Sequence, residues 1–118
     1  MKIEIWQMDA GNPHIFNGTG MGEKYCAVKN DTVDKEEYTL KYSFETIDRP
    51  DFQPRIGWTF ADMDSILGEV YEYFNIRRPS DFKGHSLSVS DIVVLESEKE
   101  KGIYFVDSFG FKKVKWKL

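Results

Sequence analysis

Apolar residues recur along this chain with two different periods. Over EEYTLKYSFE, residues 36–45, Tyr38, Leu40, Tyr42 and Phe44 alternate with Thr39, Lys41 and Ser43, which predicts a half-buried strand. The opening KIEIWQM behaves alike, with Ile3, Ile5 and Gln7 on one face and Glu4, Trp6 and Met8 on the other, so residues 2–8 are also predicted as a strand. Further on the period lengthens. Met63, Ile66, Leu67, Val70, Tyr73 and Phe74 recur at spacings of three and four, giving one apolar stripe on a helix over residues 61–75, while Asp64, Glu69 and Glu72 fall largely off it. Thr59 with Asp62 resembles a capping box, Asn75 suits a left-handed position past the helix end, and Arg77 and Arg78 suit its negative terminus. Pro79 forbids continuation.

The last third reads as a hairpin. DIVVL is a short buried strand, ESEKEKG a polar turn, IYFVDSF a second strand, and FKKVKWKL continues the sheet with Val114 and Trp116 alternating against Lys113, Lys115 and Lys117. Between the regular elements, DAGNPHIFNGTGMG is a glycine-rich loop, EKYCAVKN holds no clear helical stripe, and TIDRPDFQPRIGW is an irregular connection bent by Pro50 and Pro54. The loop lacks the preceding buried strand and following helix of a phosphate-binding fingerprint. These elements predict an α+β fold: one principal amphipathic helix packed on a mainly antiparallel sheet of four to five strands.

Composition narrows the class. The 118 residues fit a single domain over 1–118, and an aromatic content of 15% belongs to a folded globule. No apolar run approaches the roughly 18 residues that cross a bilayer, and MKIEIWQMD lacks the apolar core of an export signal. With Cys26 as the single cysteine, no intramolecular disulfide can form, so the expectation is a cytoplasmic protein without a membrane. Charge is uneven: residues 31–72 carry eleven acids against four bases, and residues 73–118 carry six acids against nine bases. An acidic side and a weakly basic side are expected if the fold keeps the two apart.

The segment GHSLSVSDIVVL offers a histidine, three serines and an aspartate. A hydrolase elbow needs a strand leading through its serine into a helix, whereas here the serines lead into a strand, so Ser88, Ser90 and Asp91 read as turn chemistry and no catalytic residue is assigned. A Ser-His-Asp set from His85, Ser90 and Asp107 has spacing as its sole support.

YEYFNIRRPSDFKGHSLSVSDIVVL and IYFVDSFGFKKV resemble the YodL-like domain, whose members share a Y-x-x-F-N helix end, a D-F-x-G-H-S-L-S-V-S-D-V-V-V-L segment and a Y-Y-V-D-S-F-G-F segment. The likeness is close over residues 71–114 and weaker in the opening strand and VDKEEYTLKY; the glycine-rich loop and residues 46–58 match no pattern. By position, the family motif falls on Asp81, Phe82, Gly84, His85, Ser86, Leu87, Ser88, Val89, Ser90 and Asp91, then on Asp107, Ser108, Phe109, Gly110 and Phe111. Leu87, Val89, Ile92, Val94, Tyr104, Val106 and Phe109 read as core, and Gly84 and Gly110 as backbone hinges. The motif's polar set is either a network satisfying buried backbone or a binding surface. The resemblance implies a bacterial or mobile-element setting, a conflict between mobile DNA and host, and no assigned reaction.

Three readings of function follow. In the first, a non-catalytic inhibitor of a phage or mobile element, of the anti-CRISPR or anti-restriction type, presents Asp62, Asp64, Glu69, Glu72, Glu36 and Glu37 as a DNA mimic to a protein partner such as a CRISPR or restriction nuclease. Against it, exposed helix faces are ordinarily acidic. The second is single-stranded nucleic-acid binding through Lys112, Lys113, Lys115, Trp116 and Lys117, although net charge is -4 and lysines on an edge strand also guard against sheet association. The third is a zinc site from His14, Cys26 and His85, with Asp9; these are suitable ligand types without metal-site spacing, so no cofactor is assigned.

Overall fold

A computed structural model describes residues 1–52 and 63–118. Among them the elements are β1 (Lys2–Gln7), β2 (Thr32–Val33), β3 (Thr39–Glu45), α1 (Met63–Ile76), β4 (Ile92–Glu96), β5 (Lys101–Asp107) and β6 (Gly110–Trp116). The strands form one six-stranded sheet in the order β2-β6-β5-β4-β1-β3. Every pairing is antiparallel except β2 with β6. The α+β class is as the periodicities predict, with one strand more than the four to five expected. The added strand, β2, follows a tight turn at Asn30 and Asp31, whose φ values are 53° and 59°. No helix among the described residues is long and apolar enough to cross a membrane.

Strand β4 is buried on both sides because the sheet is covered on both sides. Val93 and Leu95 face α1, meeting Ile3, Ile5, Ile66, Leu67, Val70, Tyr73 and Phe74. Ile92 and Val94 face the other way, into a second cluster with Met8, Cys26, Ala27, Val28, Tyr38, Phe105 and Val114. That second cover is the glycine-rich segment after β1, read from sequence as a loop. Each fully buried side chain of this size contributes about 2 kcal/mol.

Several boundaries differ from expectation, each for a local reason. Trp6 pairs with Leu40 and Ile5 with Tyr42, so β3 carries one extra residue, Lys41. This bulge flips the facing of everything before it. Tyr42 and Phe44 therefore stay on the α1 side, Tyr38 joins the second cluster, and Leu40 is exposed. Helix α1 continues through Asn75, which is not left-handed, to Ile76. Thr59 and Asp62, the predicted cap, lie outside the described residues. Strand β5 stops at Asp107 because Asp107 pairs with Gly110, whose φ is +118°, and the chain reverses at Ser108 and Phe109. Phe109, expected in the core, is accordingly fully exposed. Val89, also expected there, is half-buried.

Candidate functional site

The segment Gly84–Asp91 closes the end of the sheet where β1 stops and β4 starts. Gln7 ends the apolar face of β1, and alternation places it beside the residue preceding β4, which is Asp91. Both are completely buried. Asp91 Oδ2 accepts from Gln7 Nε2 at 3.0 Å and from the Ser88 backbone N–H at 2.8 Å, while the Asp91 N–H donates to Ser88 O at 3.0 Å. The segment is thus a turn pinned by its own aspartate, as short oxygen-bearing side chains before a strand imply.

Asp91 Oδ1 has no hydrogen-bond partner, and neither has His85 Nε2, which faces it at 3.7 Å. His85 Nδ1 lies 2.7 Å from Ser86 O, which can only accept, and 3.3 Å from Gln7 Nε2, whose two protons go to the nearer His85 O and Asp91 Oδ2; the shorter contact therefore assigns the ring proton to Nδ1. Burial pushes the Asp91 carboxyl up to about 7, against the lowering effect of the bonds from Ser88 and Gln7. Gln7 also donates to His85 O at 2.8 Å. Gly84 is required for want of room: a Cβ there would run into Gln7 Oε1 and stand 2.7 Å from the Phe82 ring. The hinge expected at Gly84 is therefore a close packing contact, without positive φ.

Two further motif residues fasten the glycine-rich segment. Ser90, at a φ of 85° that costs a non-glycine residue roughly 1–3 kcal/mol, is held by three bonds. Its N–H donates to Val106 O at 2.9 Å, its Oγ accepts from the Phe16 N–H at 2.9 Å, and its carbonyl accepts from the Tyr38 hydroxyl at 2.7 Å. Asp107 accepts from the Thr19 N–H at 3.0 Å, from the Thr19 hydroxyl, and from the Ser108 N–H at 2.8 Å. Burial raises the Asp107 carboxyl, but the bonds from Thr19 and Ser108 outweigh it and hold the group below its ordinary value. A Cβ on Gly18 would stand 2.5 Å from Asp107 Oδ1. Gly18→Ala is expected to break this clamp and cost about 2 kcal/mol, read as a lower midpoint in urea.

The remaining predicted residues scatter. Ser90 Oγ accepts from the Phe16 N–H, Asp107 is held by Thr19, and His85 bonds Ser86 O and turns its other nitrogen towards Asp91, so no hydrogen bond joins the three as a catalytic set. His14 pairs with Glu37 at 2.6 Å, and buried Cys26 accepts from the Val28 N–H. Among the described residues no three His, Cys, Asp or Glu side chains gather to hold a metal, and His14, Cys26 and His85 are not a ligand set. Asp64 and Glu72 are exposed on α1, whereas Glu69 is tied to Arg77. Glu36 and Glu37 sit on a short turn leading to Tyr38, in the opposite layer, so the proposed acids are divided between two layers. Lys112 pairs with Asp31 at 3.0 Å; Trp116 packs at 5.4 Å on Trp6; and β2 flanks Lys115 and Trp116, so this end of β6 is no open edge. Lys113, Lys115 and Lys117 are exposed.

Sequence reasoning missed Gln7, Phe16, Thr19 and Tyr38, all distant in the chain from the motif residues they meet. What could have flagged Gln7 is its place on the otherwise apolar face of β1. At the tip of the β5–β6 hairpin, Phe109 projects beside two hollows. One, of about 300 Å³, is lined by Gly68, Tyr71, Val106, Ser108 and Phe111 among others, and the second, of about 240 Å³, includes Thr19 and Lys112.

The motif segments thus supply the turn into β4, the clamps on the glycine-rich cover and the exposed tip, and their partners lie in the N-terminal third. A family spanning the whole arrangement should accordingly match the chain well beyond residues 71–114. No curated protein and no solved structure matches it. The family model for the YodL-like domain does, over residues 2–116, taking in the first strand and the glycine-rich cover as well as the motif. The chain belongs to the YodL-like domain family.

Proposed function

We propose that this domain is a non-catalytic protein-binding module that grips its partner through the β5–β6 tip. The carrying observation is Phe109, whose side chain is fully exposed on a turn that its neighbours hold rigid: Asp107 is clamped by Thr19 and Ser108, and Gly110 fixes the reversal. A large aromatic group presented on an ordered backbone loses little entropy on binding and is the typical anchor of an interface. Tyr71, about half exposed, flanks the neighbouring hollow.

The narrower reading is a counter-defence inhibitor of a phage or mobile element, directed at a nucleic-acid-handling enzyme such as a CRISPR or restriction effector. The exposed acids Asp64 and Glu72 on α1 favour it, and the pairing of Glu69 with Arg77 reduces its charge. Titration against purified effectors tests both. Phe109→Ala is expected to weaken a complex at least tenfold with folding stability changed by less than about 0.5 kcal/mol. Replacing Asp64 and Glu72 with lysine is expected to lower affinity most at low salt. Complexes indifferent to Phe109 would refute the tip as the anchor, and absence of binding to every effector at any salt would refute the inhibitor reading.

A further inference from the structure

We infer that His85 and Asp91 form a proton-operated clasp on the glycine-rich segment that covers the second face of the sheet. The inference goes beyond partner binding and does not depend on it.

The geometry makes one proton decisive. Because His85 Nδ1 donates to Ser86 O, the neutral ring turns a lone pair on Nε2 towards Asp91 Oδ1, 3.7 Å away, and neither atom has another partner. With a proton between them the two atoms attract, whether it resides on the carboxyl or on the ring. Without it, a buried carboxylate and an imidazole lone pair face each other. Nothing else nearby relieves that state. Gln7 from β1 is neutral and already bonded to Oδ2; Tyr38 gives its hydroxyl proton to Ser90 O, and burial raises its pKa far above neutrality; β5 contributes the Val106 N–H to Asp91 O. Asp107, also on β5, is engaged by Thr19, and no lysine or arginine pairs with Asp91 among the described residues. Burial raises the Asp91 carboxyl to about 7, so the proton is lost close to neutrality.

The cover is attached at this point. The Phe16 ring lies edge-on to the His85 ring at 5.5 Å, and the Phe16 N–H donates to Ser90 Oγ, the neighbour of Asp91. Phe16 is itself held at a φ of 66°. Next to it, Asn17 Nδ2 donates to Tyr25 O at 3.0 Å, linking Phe16 to Cys26, which is 1% exposed in the cluster beneath. Loss of the proton loosens the turn, releases Phe16 and raises the population in which this segment has lifted and Cys26 is open to solvent.

The test is the rate at which a thiol reagent labels Cys26, divided at each pH by the rate in urea-unfolded protein so that the thiol's own titration in the chain cancels. The ratio is expected to rise by up to tenfold per pH unit between about pH 4 and about pH 7, where the closed form keeps a proton that the open form gives up, and to level off above about pH 7. In Asp91→Asn it should be flat throughout, and in Phe16→Ala high at every pH. A flat wild-type profile, or a slope that survives in Asp91→Asn, overturns the clasp. Should the variants fail to fold, nuclear magnetic resonance of the wild type decides: the Asp91 carboxyl carbon and the Phe16 amide are expected to titrate with one midpoint, and a Phe16 amide that does not move overturns it.

Discussion

Asp91→Asn is expected to stabilise the protein at pH 8 by about 2 kcal/mol and to flatten its stability between pH 4 and pH 7. The native carboxyl is raised from 3.8 to about 7, chiefly by burial. A group raised in this way contributes most to stability below its unfolded value, and that contribution is lost as pH rises through the folded one. Each pH unit of difference is worth about 1.4 kcal/mol, so the interval sets a ceiling of roughly 4 kcal/mol, which relaxation of the turn reduces. Asparagine keeps the carbonyl that accepts from Ser88 and Gln7, and places an amide N–H where Oδ1 faces His85 Nε2. Urea denaturation of both proteins from about pH 4 to pH 9 measures the effect. A variant less stable than wild type at pH 8 would show that the carboxylate is better accommodated than its contacts indicate.

Gly84→Ala should act oppositely, with a loss of about 3 kcal/mol. The added methyl meets Gln7 Oε1 and the edge of Phe82, which is packed against Tyr42 and Phe74. Neither can retreat freely: Gln7 is the donor holding Asp91, and Phe82 belongs to the main core. Gly11→Ala is the control, because nothing lies within 4 Å of the added atom. Its unfolding midpoint should stay within about 0.5 kcal/mol of wild type. Equal midpoints for the two variants would mean that the turn shifts to accept a side chain.

The features legible in the sequence were those written in a local period. The stripe from Met63 to Phe74 and the alternation of Ile3 with Ile5 follow from spacing alone, and both face the same core. The unbroken run Ile92–Leu95 carried a further message, since a strand apolar at every position must be covered on both sides. Its second cover stayed hidden because Met8, Ile15, Cys26, Ala27 and Val28 are apolar at irregular intervals among turn residues, and no window sees a period in them. The bulge at Lys41 was equally silent, so Tyr38 and Leu40 were given the face they leave. At the site, the turn chemistry of Ser88 and Asp91 was readable because both partners lie within four residues. Asp107 with Thr19, Ser90 with Phe16 and Asp91 with Gln7 are long-range pairs that topology alone creates.

The interior place of β1, between β4 and the edge strand β3, sets an order of events during synthesis. β1, the earliest of these six strands in sequence, takes one neighbour from residues 39–45 and the other from residues 92–96, so its second edge waits until residue 96 has been translated. Long sequence separation between partners slows folding and leaves an unpaired apolar ribbon open to other nascent chains in the interval. Moving the β1 segment behind β6 by circular permutation would shorten that wait, and the soluble yield of such a rearranged chain reports how much the native order costs.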